Sequence, residues 1–189
     1  VRKRKATRGR GIRRIHQAPE TPHTTSIWQI VGYKNSGKTT LVCALIERLR
    51  HHGYTVAVIK HDHHGFEIDH PHTDTWRQRE AGASAVAITN SMRTARIEEQ
   101  GSGLQELVES FQSYDYILVE GFKNENYPKL VLIHEKEGLE LLSLTAVSAV
   151  VVWESMWSSV DLLRPSEMPQ YDINDISAIA LHLNRQRDI

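Results

Sequence analysis

The sequence predicts a three-layer α/β domain, a mostly parallel β-sheet flanked by helices, on three observations. Short β-branched runs alternate with segments of helical periodicity. Two of those runs lack polar alternation, as expected of strands buried on both faces of a parallel sheet. A glycine-bearing loop joins the first run to the first helical segment.

The elements follow in order. Residues 27–31, Ile-Trp-Gln-Ile-Val, form a β-type run that ends at Gly32, and Leu41, Leu45, Ile46 and Leu49 then fall at helical spacing until Gly53 closes the segment. Residues 55–59 (TVAVI) complete a βαβ unit. A stretch over 61–72, too rich in His, Asp and Gly for a core, precedes a helix from Asp74 to about Ala81, stopped by Gly82. Residues 85–89 and 94–98 read as short strands, 104–111 as a helix, and 116–119 (YILV) as a second buried strand stopping at Glu120-Gly121. Strands at 130–134 and 146–153 follow, with Glu137-Gly138 as a turn between elements. Asn174 or Asp175 caps a last helix whose Ile176, Ile179, Ala180 and Leu183 form one apolar stripe.

With 189 residues, the chain suits one domain, spanning 27–189. Composition is that of an ordinary globular chain, 40% hydrophobic and 24% charged, and no apolar run approaches the roughly 20 residues that cross a bilayer. Cys43 stands alone and cannot form an intramolecular disulfide, and the expected location is cytoplasmic. The net charge of +0 conceals an asymmetry: residues 1–26 carry eight Lys or Arg against Glu20 alone. This basic extension has no apolar periodicity and is expected to be disordered. It reads as a solvated tail or as an electrostatic arm for nucleic acid, the latter disfavoured because no aromatic side chain interleaves the charges.

Chemistry concentrates in Gly32, Tyr33, Lys34, Asn35, Ser36, Gly37, Lys38 and Thr39, which match the phosphate-loop pattern G-x-x-x-x-G-K-[ST] at every specified position. A strand before and a helix after aim backbone N–H groups and the positive helix end at a polyphosphate. Lys38 is placed to reach the β- and γ-phosphates, the Thr39 hydroxyl to ligate Mg²⁺, and Thr40 to touch the α-phosphate. Such sites also need an acid at the end of a neighbouring buried strand, and Glu120 fills that position, pairing with Lys38 as the catalytic candidates and with Thr39 as the metal candidates. This is the signature of a P-loop NTPase.

At the carboxyl end of the second strand lie His61, Asp62, His63 and His64, with Asp69, His70 and His72 beyond. They fit a transition-metal site, phosphate or substrate contacts, or an inert polar loop, and their spacing matches no structural zinc pattern. Arg77 and Arg79, two apart, cannot share a helix face, so at most one aims at an anionic ligand.

Taken together, GYKNSGKTT, IKHDHHGFEID, DTWRQREAGA, ILVEGFK and YDINDI resemble, in order, the molybdopterin-guanine dinucleotide biosynthesis adaptor protein B family. That family is similar in fold to the dimeric P-loop GTPases. The resemblance implies GTP and Mg²⁺ as ligands, weak GTP hydrolysis, a homodimer, and assistance to the enzyme that attaches GMP to molybdopterin. It puts Gly121 beside the γ-phosphate and matches His61, His63, His64, Asp69, Asp74 and Arg79 to further motif positions. His70-Pro71-His72-Thr73 departs from the family's Lys-Pro-Gly-Lys type of sequence, and Lys34 lies one place from the signature lysine of the related dimeric ATPases. Neither Thr89-Asn90-Ser91-Met92 nor Trp153-Glu154-Ser155-Met156 fits the Asn-Lys-x-Asp guanine signature, so GTP rests on the resemblance. Competing expectations are a small-molecule kinase, which usually adds an arginine-rich lid not evident here, and a metal-delivery GTPase chaperone using the histidines.

Overall fold

The computed structural model describes residues 24–62, 64–163 and 167–185, with backbone alone at 162 and 163. In chain order the elements are β1 (Ser26–Val31), α1 (Lys38–His51), β2 (Val56–Lys60), α2 (Asp74–Glu80), β3 (Ala85–Thr89), β4 (Thr94–Glu98), α3 (Leu104–Ser110), β5 (Tyr116–Glu120) and β6 (Lys129–Ile133). A 3-10 segment (Lys136–Ser143) follows, then β7 (Val147–Val152), a short 3-10 turn (Glu154–Met156), α4 (Trp157–Leu163), β8 (Gln170–Asp172) and α5 (Ile176–Arg185). The basic residues 1–23, on which most of the disordered-arm expectation falls, lie outside the described residues, as does His63.

A six-stranded sheet runs β2-β5-β1-β6-β7-β8, and every pairing in it is parallel. Alternate residues of each strand feed opposite faces. On one face Trp28, Ile30, Leu118, Leu132 and Val151 pack with Leu41 and Leu45 of α1 and Ile179 and Leu183 of α5. On the other, Ile117 and Val119 meet Leu104 and Val108 of α3, while Val131, Ile133 and Val152 meet Leu141, Met156 and Val160. These are the three expected layers. All five residues of β5 and of β6 are buried, which is why both lack polar alternation.

Four features depart from the sequence expectation. β3 and β4 stand outside the main sheet as an antiparallel hairpin, pairing Ala85 with Glu98 through Thr89 with Thr94. Its turn is set by Asn90, whose Oδ1 accepts from the N–H groups of Met92 and Arg93, each at 2.8 Å. The expected turn at Glu137-Gly138 is instead part of the 3-10 segment, because Leu141 needs a helical register to reach the core. Neither α4 nor β8 is legible beforehand, being 7 and 3 residues long. For α5, Asp175 is the capping residue, its Oδ1 accepting from the Ala178 N–H at 3.0 Å.

His182 on α5 is 7% exposed. Its Nε2 lies 3.0 Å from Ser148 Oγ, its Nδ1 3.2 Å from the Tyr171 hydroxyl, and the Trp28 ring meets it edge-on at 5.4 Å. Burial, reinforced by the like charge of Arg185, holds its imidazole below the ordinary histidine range. The native ring therefore stays neutral where an unfolded histidine takes up a proton, below about pH 6.5. Its contribution to stability is complete above that range and is lost as pH falls through it. Denaturation midpoints are expected to drop from about pH 7.5 to about pH 5.5, and to drop less in His182→Gln, as chemical denaturation at both values would report.

Candidate functional site

The phosphate loop is shaped by close approach. A Cβ on Gly32 would stand 2.5 Å from Ser36 Oγ and 3.2 Å from Leu132, so no side chain fits there. Gly37 caps α1, and the Trp153 indole Nε1 donates to the Ser36 carbonyl at 2.9 Å. The loop is thus held between β6 and the end of β7 by packing.

Lys38 opens α1 and folds back over the loop, its Nζ donating to the Tyr33 carbonyl at 2.7 Å. Burial pushes its ammonium below the ordinary lysine range; attraction to Glu120 opposes this and repulsion from Lys60 adds to it. One residue on, Thr39 Oγ1 donates to Glu120 Oε1 at 2.9 Å. Glu120 is 6% exposed at the end of β5, in register with Lys60 of β2 and Ile30 of β1, and Lys60 Nζ lies 3.6 Å from its Oε1. A hydroxyl and a carboxylate side by side at the loop's edge are hard oxygen donors of the kind that, with phosphate oxygens and waters, suit Mg²⁺.

These groups open onto a cleft of about 610 Å³. Lys34, Lys38, Lys60 and Lys123 face it against Asp62 and Glu120, a balance that favours an anion. Gly121, at φ +100°, closes one wall, where a Cβ would meet His61 Cβ at 3.1 Å. His61 packs on Phe122 with ring centroids 4.4 Å apart, and its N–H donates to the Glu120 carbonyl at 3.0 Å.

Of the sequence candidates, Gly32, Tyr33, Lys34, Asn35, Lys38, Thr39, Glu120 and Gly121 line the cleft, as do His61, Asp62 and His64. Ser36 and Gly37 lie behind it in the loop, and Thr40 is exposed in the first turn of α1. Asp69, Asp74 and Arg79 sit apart from the cleft lining. Asp69 Oδ1 accepts from the Thr73 and Thr75 hydroxyls at 3.0 and 3.1 Å and from the His70 N–H at 2.9 Å, which fixes the turn before α2. Arg79 pairs with Glu67 at 2.8 Å and Glu99 at 2.6 Å, which raises its pKa further and ties α2 to the hairpin strand's end. Asp74 opens α2. Among the described residues no group of three or more His, Cys, Asp or Glu side chains is disposed to hold a metal ion.

Sequence reasoning missed the anchors of the loop after Glu120. Gln29, fully buried on β1, donates from Nε2 to the Phe122 and Gly121 carbonyls at 2.6 and 3.3 Å and accepts the Tyr127 N–H at 3.2 Å. Lys129, equally buried, donates to the carbonyls of Tyr127, at 3.2 Å, and Glu125. A polar residue inside an apolar β-run was the available signal.

A family model described as MobB, molybdopterin guanine dinucleotide synthesis protein B, matches residues 27–153. The molybdopterin-guanine dinucleotide biosynthesis adapter protein of Haemophilus influenzae is 43% identical over 112 residues, 57% of this chain, and the match spans 62% of that protein's length. The adapter protein of the same description from Escherichia coli is 32% identical over 155 residues, covering 79% of this chain and 86% of that one. The crystal structure of Bacillus subtilis MobB superposes with a TM-score of 0.70 at 30% identity, over 85% of this chain and 97% of that one.

Proposed function

Because this chain belongs to the molybdopterin guanine dinucleotide synthesis protein B family, we propose that it is a GTP-binding adaptor in molybdopterin guanine dinucleotide synthesis. In this reading it hydrolyses GTP slowly, acts as a homodimer in the cytoplasm, and assists the enzyme that attaches GMP to molybdopterin. The observation that carries the reading is the Thr39 hydroxyl on the Glu120 carboxylate beside Lys38, at the mouth of a lysine-lined cleft. Lys38 would leave the Tyr33 carbonyl for the β- and γ-phosphates, and the loop amides would cradle them. Thr39 and Glu120 would hold Mg²⁺, which screens phosphate charge when bound.

Among the described residues lining the cleft there is neither arginine to neutralise developing charge nor glutamine to orient a water. Turnover by the isolated protein is therefore expected near the intrinsic rate of an unassisted GTPase, about 10⁻³ s⁻¹. Adding the protein to the GMP-transferring enzyme should raise the yield of molybdopterin guanine dinucleotide, with light scattering reading the dimer. Fast turnover by the protein alone, or no gain in yield, counts against an adaptor. Phosphate appearing on a small acceptor would point to a kinase instead.

A further inference from the structure

Lys60 is the last residue of β2 and is paired in register with Glu120, so the two side chains leave the sheet side by side. Its Nζ stands 3.6 Å from Glu120 Oε1, the same oxygen that accepts the Thr39 hydroxyl at 2.9 Å. A divalent ion held by Thr39 and Glu120 must share that oxygen with the ammonium or displace it. Displacement is mechanically easy. The Lys60 side chain is 54% exposed and that of Glu120 only 8%, so the lysine alone has room to swing, on a flexible four-carbon stem with three donors at its tip. The charge balance makes displacement conditional. Lys34, Lys38, Lys60 and Lys123 face the cleft against Asp62 and Glu120, and a bare divalent cation would add to an existing excess of positive charge. A polyphosphate reverses that sign and gives the released ammonium an anion to move to.

We propose that Lys60 is the residue that makes metal binding at this site depend on the nucleotide. Its ammonium keeps the Thr39 and Glu120 oxygens closed to a free divalent ion, and it turns to the phosphates when a polyphosphate enters the cleft. The metal then finds Glu120 released at the moment phosphate oxygens are present to complete its shell. Coupling of this kind is reciprocal: what the metal gains from the nucleotide, the nucleotide gains from the metal. An exposed ion pair by itself shifts an equilibrium by no more than about fivefold. Repulsion between the ammonium and a doubly charged ion adds to that. The inference rests on the cleft being a nucleotide site with Mg²⁺ at Thr39 and Glu120, and it names the side chain that links the two ligands.

Mn²⁺, a paramagnetic ion that accepts the same oxygen donors as Mg²⁺, is the probe, titrated into the full chain without nucleotide and followed by electron paramagnetic resonance. Lys60→Met keeps an unbranched side chain and removes the charge. This variant is expected to bind Mn²⁺ about three- to tenfold more tightly than the parent. In EDTA it should bind GTP at least about threefold more weakly, read by calorimetry, because the phosphates lose an ammonium. Lys60→Arg, which restores the charge, should return both affinities toward the parent values. A lysine that merely supported the structure would lower both affinities on removal, so opposite signs are the signature. Mn²⁺ binding to Lys60→Met no tighter than to the parent, GTP affinity in EDTA left unchanged, or Lys60→Arg behaving as Lys60→Met does would each overturn the inference. A parent protein that binds GTP neither in EDTA nor with Mg²⁺ would overturn the nucleotide-cleft reading itself, a distinct result.

Discussion

Lys38→Ala is expected to abolish the thermal stabilisation conferred by Mg·GTP while leaving the unliganded protein nearly as stable as the parent. At a ligand concentration about a hundred times Kd, binding stabilises the native state by about 2.7 kcal/mol, and this increment is what the variant should lose. The loss without ligand is small, about 0.5–1.5 kcal/mol at most, because Lys38 makes one hydrogen bond, to the Tyr33 carbonyl, and is only partly buried. Differential scanning fluorimetry with and without nucleotide separates the two effects. A full ligand-induced shift in the variant would mean that the phosphates are held elsewhere.

The second large effect concerns Glu120→Gln. The substitution keeps the shape of a side chain that is 8% exposed, and retains an oxygen to accept from Thr39, but removes the charge. Affinity for GTP in the presence of Mg²⁺ is expected to fall at least about tenfold, about 1.4 kcal/mol, toward the value measured in EDTA. Lys60, whose side chain is 54% exposed, loses its counter-ion at little cost because water already solvates it. Calorimetric titration with and without Mg²⁺ tests this, and an undiminished metal dependence would remove Glu120 from the metal's coordination.

Much of this site could be read from the chain because its defining parts are local. The phosphate loop is eight consecutive residues between a strand and a helix, and Glu120 announces itself as an acid ending an unbroken apolar run. The sheet was legible for the same reason, since β1, β5, β6 and β7 are largely apolar along both faces; β2, expected to be buried on both faces, instead lies at the sheet edge, burying Ala57 and Ile59 and leaving Val58 exposed. What stayed hidden depends on residues far apart in sequence. Trp153 buttresses Ser36 from 117 positions away, and Tyr33 reaches Glu140 across 107. Lys60 was visible as the end of β2, but its approach to Glu120 depends on β2 pairing with β5, which periodicity does not specify. The 3-10 segment reads as a turn from sequence because Glu137-Gly138 stands ahead of a short run of leucines whose partners are on other strands. Asp69 and Arg79 show the reverse difficulty: their residue types invite a ligand, and the fold has spent them on each other's neighbourhood.

One consequence follows from the way Lys38 rests on the Tyr33 carbonyl and Thr39 on Glu120. Lys38 and Thr39 already have partners within the protein, so a polyphosphate held as proposed would exchange those two contacts for its own. Such an exchange weakens the grip but also gives the loop somewhere to return to when the guest departs. On the proposed reading, loading and release would then be readily reversible, which suits handing on a molecule better than storing one.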